Sequence, residues 1–146
     1  MIKRLLSSFG GRSAPPTLPL EDRPQPKTAK PQPVDVTDEN FDATVLQSEQ
    51  LAVVDFWADW CAPCDTMSAH VAFLAEDFEG RLLVTALDVD ENPQTTENYA
   101  VMGLPTLLFL NQGVEVHRQV GLLPYEKLKQ MVEDLLGNSA ESELAG

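Results

Sequence analysis

Apolar residues fall into runs and periodic groups that predict alternating strands and helices. Residues 51–57 form an apolar run interrupted only by Asp55, residues 82–89 form a second run, and both predict buried strands. Between the two runs, apolar residues recur with helical spacing until Gly80, which predicts a helix that begins after Trp60. The apolar face of this helix consists of Met67, Val71, Leu74 and Phe78.

A strand and a helix are predicted before the first buried run. Val34–Val36 alternates like a short edge strand. Thr37 or Asp38 can then cap a helix that continues to about Leu46, because their side-chain oxygens accept hydrogen bonds from the amides of a first helical turn.

Another helix and strand follow the second buried run. Asn92 is the predicted cap of this helix, and Pro93 lies in its first turn, where its missing amide proton costs nothing. The helix is expected to continue to about Tyr99 or Ala100, and residues 107–110 resume as a strand.

The last third of the chain predicts a hairpin and a closing helix. Asn111–Gly113 is a turn, residues 114–120 alternate on a strand with one solvent-facing side, and Pro124–Leu136 forms a helix that Gly137 ends. One side of the strand carries Val114, Val116, Arg118 and Val120, and the other carries Glu115, His117 and Gln119. The order β-α-β-α-β-α-β-β-α predicts an α/β fold with a central mixed sheet flanked by helices.

The first nine residues have their own helical pattern, with one apolar side made of Ile2, Leu5, Leu6 and Phe9. So short a helix needs a surface on which to form, and the candidates are an anionic membrane, a partner protein and the acidic body of this chain. Residues 1–20 contain three basic residues and no acidic residue, which also fits an organellar transit peptide. An inert tail, an anchor and a targeting segment therefore remain alternatives.

Proline marks the boundary of the predicted domain. Seven of the eleven prolines lie between Pro15 and Pro33, which predicts a semi-rigid disordered spacer, with a docking role for the prolines as the alternative. We therefore divide the chain into an extension, residues 1–33, a folded domain, residues 34–137, and a frayed tail, residues 138–146.

Charge changes sign at the same boundary. The net charge is −13, but residues 1–33 hold six basic and two acidic residues, so that a charge of +4 in this extension leaves −17 for the other 113 residues. Nucleic-acid binding depends on Lys and Arg, so the acidic body argues against it and favours a soluble monomer. No apolar run approaches the roughly 20 residues that span a bilayer.

The two cysteines, Cys61 and Cys64, lie at the junction of a predicted strand and a predicted helix. Two thiols at this spacing can close and reopen a small disulfide ring, a redox chemistry that needs no metal or organic cofactor. A structural zinc site takes four ligands, and His70 and His117 do not give a zinc-finger spacing. No metal is predicted.

Five separated motifs agree in identity and spacing with the thioredoxin family, which the chain resembles over Val34–Leu136. They are Val54–Ala58, Trp60–Cys64, Asp90–Pro93, Gly103–Thr106 and Val120–Gly121. The resemblance implies a thioredoxin fold and the reduction of disulfides in partner proteins.

The resemblance also implies roles for three residues. Cys61 corresponds to the attacking cysteine, and Cys64 to the resolving cysteine that releases the reduced partner. Asp55 corresponds to a buried carboxylate that assists proton transfer at the resolving cysteine. As the charged residue of a strand buried on both faces, Asp55 is expected to have a raised pKa, with a purely structural, hydrogen-bonded carboxyl as the alternative.

A substrate-binding surface is implied around the cysteines. Pro105 corresponds to the cis proline of the family, beside which an extended segment of the partner pairs with the backbone. The implied surface consists of Trp60, Ala62, Pro63, Gly103, Leu104, Pro105, Val120 and Gly121.

The sequence departs from the family mainly in charge. Asp65 occupies a position that commonly holds Lys or Arg, and Ala86 aligns with a position near the buried carboxylate that commonly holds Lys. With Asp59 also beside the centre, the positive support for a Cys61 thiolate is expected to be weaker than is usual in the family.

We therefore predict a protein-disulfide reductase whose redox-active disulfide serves in place of a cofactor. The implied partners are disulfide-containing proteins and a thioredoxin reductase or other thiol donor. The expected location is the cytoplasm, or an organelle if residues 1–20 are a transit peptide. The rival activity on the same fold is that of an oxidase or isomerase, which would need an oxidising compartment and which the Trp60–Cys64 motif disfavours. The alternative from another class is a non-catalytic binding or scaffold module recruited through the N-terminal arm.

Overall fold

The computed structural model describes residues 30–145, with side chains through Asn138. The predicted helix of residues 1–9 and the proline-rich segment before Lys30 lie outside the described residues. The elements are β1 (Val34–Asp35), α1 (Asp42–Leu46, a π-helical segment), β2 (Leu51–Trp57), α2 (Ala62–Asp77), β3 (Leu82–Asp88), α3 (Pro93–Asn98), β4 (Thr106–Asn111), β5 (Val114–Val120) and α4 (Tyr125–Ala145).

The five strands form one mixed sheet in the order β1-β3-β2-β4-β5. β1 and β2 both pair in parallel with β3, whereas β4 runs antiparallel to β2 and to β5. The observed sheet confirms the predicted α/β fold with a parallel βαβ half and an antiparallel hairpin.

Strand β2 lies at the centre of the sheet and serves two hydrophobic cores. Leu51 and Val53 belong to the core beneath α2 and α4, and Val54 and Phe56 belong to the core on the opposite face. Burying each large apolar side chain contributes about 1.5–3 kcal/mol, so both faces hold this strand in place. Successive side chains alternate between the faces, and Asp55 therefore lies on the α2 side.

The capping predictions hold at Thr37 and in part at Asn92. The Thr37 hydroxyl accepts the Asn40 amide (3.3 Å), and Asn92 is the N-cap residue of α3. Asp38, the alternative to Thr37, lies in the turn before α1, and its carboxylate accepts hydrogen bonds from the amides of Gln94 (3.1 Å) and Thr95 (2.8 Å) in the first turn of α3. Asn92 occupies the cap position of α3 but makes no cap bond with its side chain, which accepts the Asp38 amide and donates to the Asp88 carbonyl. A carboxylate from a distant part of the chain replaces the local cap.

The alternation predicted for β5 holds over residues 117–120 and is interrupted by a bulge at Val116. Phe109 pairs with His117 and Leu110 with Glu115, so Val116 has no partner across the ladder. The side of β5 that meets α4 carries His117, which shares a cavity wall with Met131. The three valines, Val114, Val116 and Val120, are exposed.

The closing helix is longer than predicted. Gly137 does not end α4, which continues to Ala145 through the segment that we predicted to be a frayed tail. A glycine inside a helix costs only about 1 kcal/mol relative to alanine, and the residues that follow Gly137 include neither proline nor a second glycine before Gly146. By contrast, Gly113 behaves as predicted, since the hairpin turn places Gln112 at φ 51° and Gly113 at φ 83°.

Candidate functional site

The two cysteines lie where β2 leads into α2. Cys61 is the N-cap residue of α2, in an extended conformation, and Pro63 lies in the first turn. Pro63 fits there because the first-turn amides of a helix have no partner within the helix. The disulfide joins Cys61 to Cys64 across this first turn.

The sulfur atoms are enclosed mainly by apolar residues. Cys61 is 5% exposed and Cys64 is 1% exposed, and both pack with Ala58 and Leu104. Among the described residues, no side chain caps the first-turn amides of α2, and the positive end of the helix dipole lies at the cysteines. The helix dipole favours a thiolate at this position, whereas enclosure by apolar residues opposes it.

Asp55 is buried on the same side of the sheet. Its side chain is 1% exposed, and its Oδ1 atom has no hydrogen-bond partner among the described residues. Burial raises the pKa of Asp55 to about 7, which confirms the predicted direction. Hydrogen bonding with the Ser68 side chain lowers this pKa by less than burial raises it. A carboxyl with a pKa of about 7 takes up and releases protons near neutral pH.

The neighbour of Asp55 is uncharged. Ala86 pairs with Asp55 in the register between β2 and β3, at the position where the family commonly has a lysine. Asp59 and Asp65 are exposed on either side of the cysteines. The site therefore has the acidic surroundings that the sequence indicated.

A second segment approaches the disulfide from β4. The Leu104–Pro105 peptide bond is cis, as the resemblance implied, and the Pro105 carbonyl accepts a hydrogen bond from the Gly121 amide at 2.8 Å. Gly121 has φ 90°, a conformation that a residue with a Cβ rarely adopts. This bond joins the loop before β4 to the end of β5 beside the site.

The residues of the predicted substrate surface differ in exposure. Trp60, Ala62, Pro63 and Val120 are exposed, Gly103, Leu104 and Gly121 are half-buried, and Pro105 is buried. The structure brings them together at the disulfide through Leu104, which packs on the cysteines, and through the Pro105–Gly121 bond.

Sequence reasoning missed three residues of this surface. Met102 and Leu122 are exposed next to predicted members, and Asp90 accepts a hydrogen bond from the Trp60 indole at 3.0 Å. The sequence did contain a signal for Met102 and Leu122, because each is a large apolar residue in a loop, next to a glycine of the predicted site. The Asp90 contact spans 30 residues and needed the fold.

Comparisons with known proteins agree with this geometry. A family model described as Thioredoxin matches residues 32–134. Thioredoxin 2 of Chlorobaculum tepidum is 39% identical over 103 residues, which cover 70% of this chain and 94% of the relative. Thioredoxin of Staphylococcus aureus is 44% identical over 100 residues, 68% of this chain and 94% of the relative.

The chain belongs to the thioredoxin family. It is a thiol-disulfide oxidoreductase, which confirms the predicted activity and disfavours the non-catalytic module. Thioredoxins carry their redox chemistry in a cysteine pair, and Cys61 and Cys64 form that pair here.

Two further observations concern the described residues only. Side chains through Asn138 include no group of three or more His, Cys, Asp and Glu residues placed to hold a metal ion. Among helices in residues 30–145, none has the length and hydrophobicity to cross a membrane.

Proposed function

We propose that Cys61 attacks a disulfide of a partner protein and that Cys64 resolves the product. The Cys61 thiolate forms a mixed disulfide with one partner sulfur, and the other partner sulfur leaves as a thiolate. Cys64 then attacks Cys61, so the partner gains two electrons and the Cys61–Cys64 disulfide forms. The position of Cys61 at the uncapped N-terminus of α2 supports this order of attack.

Asp55 is the proposed proton carrier. Cys64 must lose its proton before it attacks, and a group with a pKa of about 7 accepts that proton at neutral pH. The open Oδ1 atom of Asp55 supports this role, because proton transfer needs an oxygen that other donors do not occupy.

The surface around the disulfide is the proposed binding site for the partner. Trp60 and Val120 offer exposed apolar area, and the loop at Pro105 lies beside the cysteines through Leu104. An extended segment of the partner can pair with backbone groups of this loop while its cystine reaches Cys61. Residues 103–105, 120–121 and 60–63 together provide that surface.

We further propose the cellular setting. A thioredoxin reductase or other thiol donor regenerates the dithiol, and a reducing compartment such as the cytoplasm keeps it in that state. The strongly acidic body favours a monomer by mutual repulsion. The catalytic domain begins at about Val34, and residues 1–33 form an extension of it.

Insulin reduction tests the proposal. The full chain, supplied with dithiothreitol, is expected to precipitate insulin chains, and Cys61→Ser is expected to fall to the rate of dithiothreitol alone. The equilibrium redox potential against glutathione gives the direction of the reaction, and a potential as oxidising as those of disulfide-forming enzymes, about −120 mV, would contradict a reductase.

A further inference from the structure

Four large apolar side chains are exposed in the segments that adjoin Cys61, Pro105 and Gly121. We call them the apolar rim: Trp60, Met102, Val120 and Leu122, which are 70%, 94%, 58% and 47% exposed. Trp60 precedes Cys61, Met102 lies in the loop that leads to Pro105, and Val120 and Leu122 flank Gly121. The rim is thus built from the three segments that meet at the disulfide.

The charges beside the apolar rim are negative. Asp59, Asp65, Asp90 and Glu91 are exposed in the segments next to Trp60 and the cysteines. The basic side chains of residues 30–138 are five in number: Lys30, Arg81, Arg118, Lys127 and Lys129. Three of these lie in ion pairs, with Glu76, Glu115 and Asp77, and Arg81 lies over the Phe78 ring.

The N-terminal segment has the complementary composition. Residues 1–12 combine four apolar residues at helical spacing, Ile2, Leu5, Leu6 and Phe9, with three basic residues and no acidic one. The basic residues are Lys3, Arg4 and Arg12. Such a segment buries apolar area on the rim and brings its charges to the acidic residues beside it.

Residues 13–29 are long enough to let residues 1–12 reach the apolar rim from Lys30. Lys30 lies beside Glu76, near the C-terminal end of α2, with its Nζ atom 3.6 Å from the carboxylate. Glu76 is twelve residues from Cys64 in α2, a distance of about 18 Å at a rise of 1.5 Å per residue. Residues 13–29 extend to about 50 Å at 3.1 Å per residue, so they reach the rim with slack.

We propose that residues 1–12 of this chain dock on the apolar rim and compete with protein substrates for it. The proposal rests on the proposed function of this surface as the substrate site. Because the segment is tethered, its effective concentration is about 1 mM, and an intrinsic affinity of about 0.1–1 mM gives a competition factor of about 2 to 10.

Photo-crosslinking in the full chain locates the segment directly. With Phe9→p-benzoylphenylalanine, irradiation is expected to give an intramolecular product that contains Met102 or a neighbour in the rim. The yield should fall with Lys3→Glu and Arg4→Glu together, and with 1 M salt, which shortens the screening length to about 3 Å. Arg23→Glu and Lys27→Glu are the matched control, because they reverse as many charges outside the docked segment.

Insulin kinetics measure the competition. The Lys3→Glu, Arg4→Glu chain is expected to lower KM about 2- to 10-fold with kcat unchanged, and the Arg23→Glu, Lys27→Glu chain is expected to keep the wild-type KM. Crosslinks elsewhere on the domain, crosslinks between molecules, or crosslinks only to added phosphatidylglycerol vesicles would overturn the proposal. Failure of every chain to reduce insulin would instead contradict the proposed function, since crosslinking needs no turnover.

Discussion

The N-termini of α2 and α3 have opposite environments. At α3, the Asp38 carboxylate accepts the amides of Gln94 and Thr95. At α2, the N-cap residue is Cys61, and no side chain in the described part of the chain caps the amides. The first turn of α3 binds the Asp38 carboxylate and so stabilises the fold. The first turn of α2 has free amides that can stabilise a thiolate when it forms during the reaction.

Asp38, which caps α3, and Asp55, in the strand that leads to α2, also differ in pKa. Burial opposes ionisation of Asp38, but hydrogen bonds from Thr95 and Gln94 outweigh it and lower the pKa. Burial of Asp55 raises its pKa to about 7, and its Oδ1 atom has no partner among the described residues. At Asp38 the hydrogen bonds outweigh burial, whereas at Asp55 burial outweighs the hydrogen bond with Ser68, so the two pKa values move in opposite directions.

The largest expected effect concerns stability at Asp55. Asp55 keeps its proton up to a pKa of about 7 in the folded state, whereas the ordinary carboxyl has a pKa of 3.8. The stability that the protonated Asp55 contributes is therefore fully present below about pH 4 and is lost as the pH rises through 7. Between pH 4 and pH 8, the free energy of unfolding should fall by up to about 4 kcal/mol more in the wild type than in Asp55→Asn. Urea denaturation at both pH values measures the difference, and parallel curves would contradict it.

Catalysis at Asp55 gives the next effect. Asp55→Asn is expected to slow the release of reduced partner about 100-fold at pH 7, because the Cys64 proton loses its acceptor. Stopped-flow measurement of the mixed disulfide should show normal formation and slow decay. Asp65→Asn, an exposed acid beside the same helix, is the control, and equal decay rates at every pH would remove Asp55 from the mechanism.

Replacing Asp38 should lower stability without affecting catalysis, and its pH dependence should be opposite to that of Asp55. Asp38→Ala leaves two amides of α3 without an acceptor and is expected to lower the free energy of unfolding by about 1–2 kcal/mol, with insulin reduction unchanged. Since the pKa of Asp38 is lowered in the folded state, its contribution is present above about pH 4 and shrinks as the pH falls below 3.8. A loss of turnover at full stability would contradict this division between the two helix starts.

The smallest effect concerns Asp65, in the first turn of α2. Asp65→Lys replaces a negative with a positive charge beside Cys61, which should stabilise the thiolate by about 0.3–1 kcal/mol. The rate of Cys61 alkylation by iodoacetamide at pH 6 should rise about 2- to 5-fold. Lys in place of the distant, exposed Glu133 should leave that rate unchanged, and an equal rise in both variants would point to net charge alone.

The sequence pattern predicted the features that depend on local order. The apolar run of β2 predicted a central strand and the burial of Asp55, and the spacing of Cys61 and Cys64 predicted their disulfide. These predictions succeeded because the burial of a strand and a disulfide between cysteines separated by two residues depend on neighbours in the chain.

Features that depend on distant partners were not predictable. The Asp38 cap joins residues 56 and 57 positions apart, and the β5 bulge depends on pairing with Phe109. Local propensity could not decide the end of α4 either, because a single glycine weakens a helix by only about 1 kcal/mol and does not by itself end it.

The most direct test of the central claim traps the mixed disulfide. Reduced Cys64→Ser and Cys61→Ser full chains are each mixed with insulin, and the products are analysed by mass spectrometry with peptide mapping. Attack by Cys61 predicts a stable adduct of Cys64→Ser, linked through Cys61, and none from Cys61→Ser. An adduct formed through Cys64 in the Cys61→Ser chain, with none from Cys64→Ser, would contradict the assignment of Cys61 to the open N-terminus of α2 as the nucleophile.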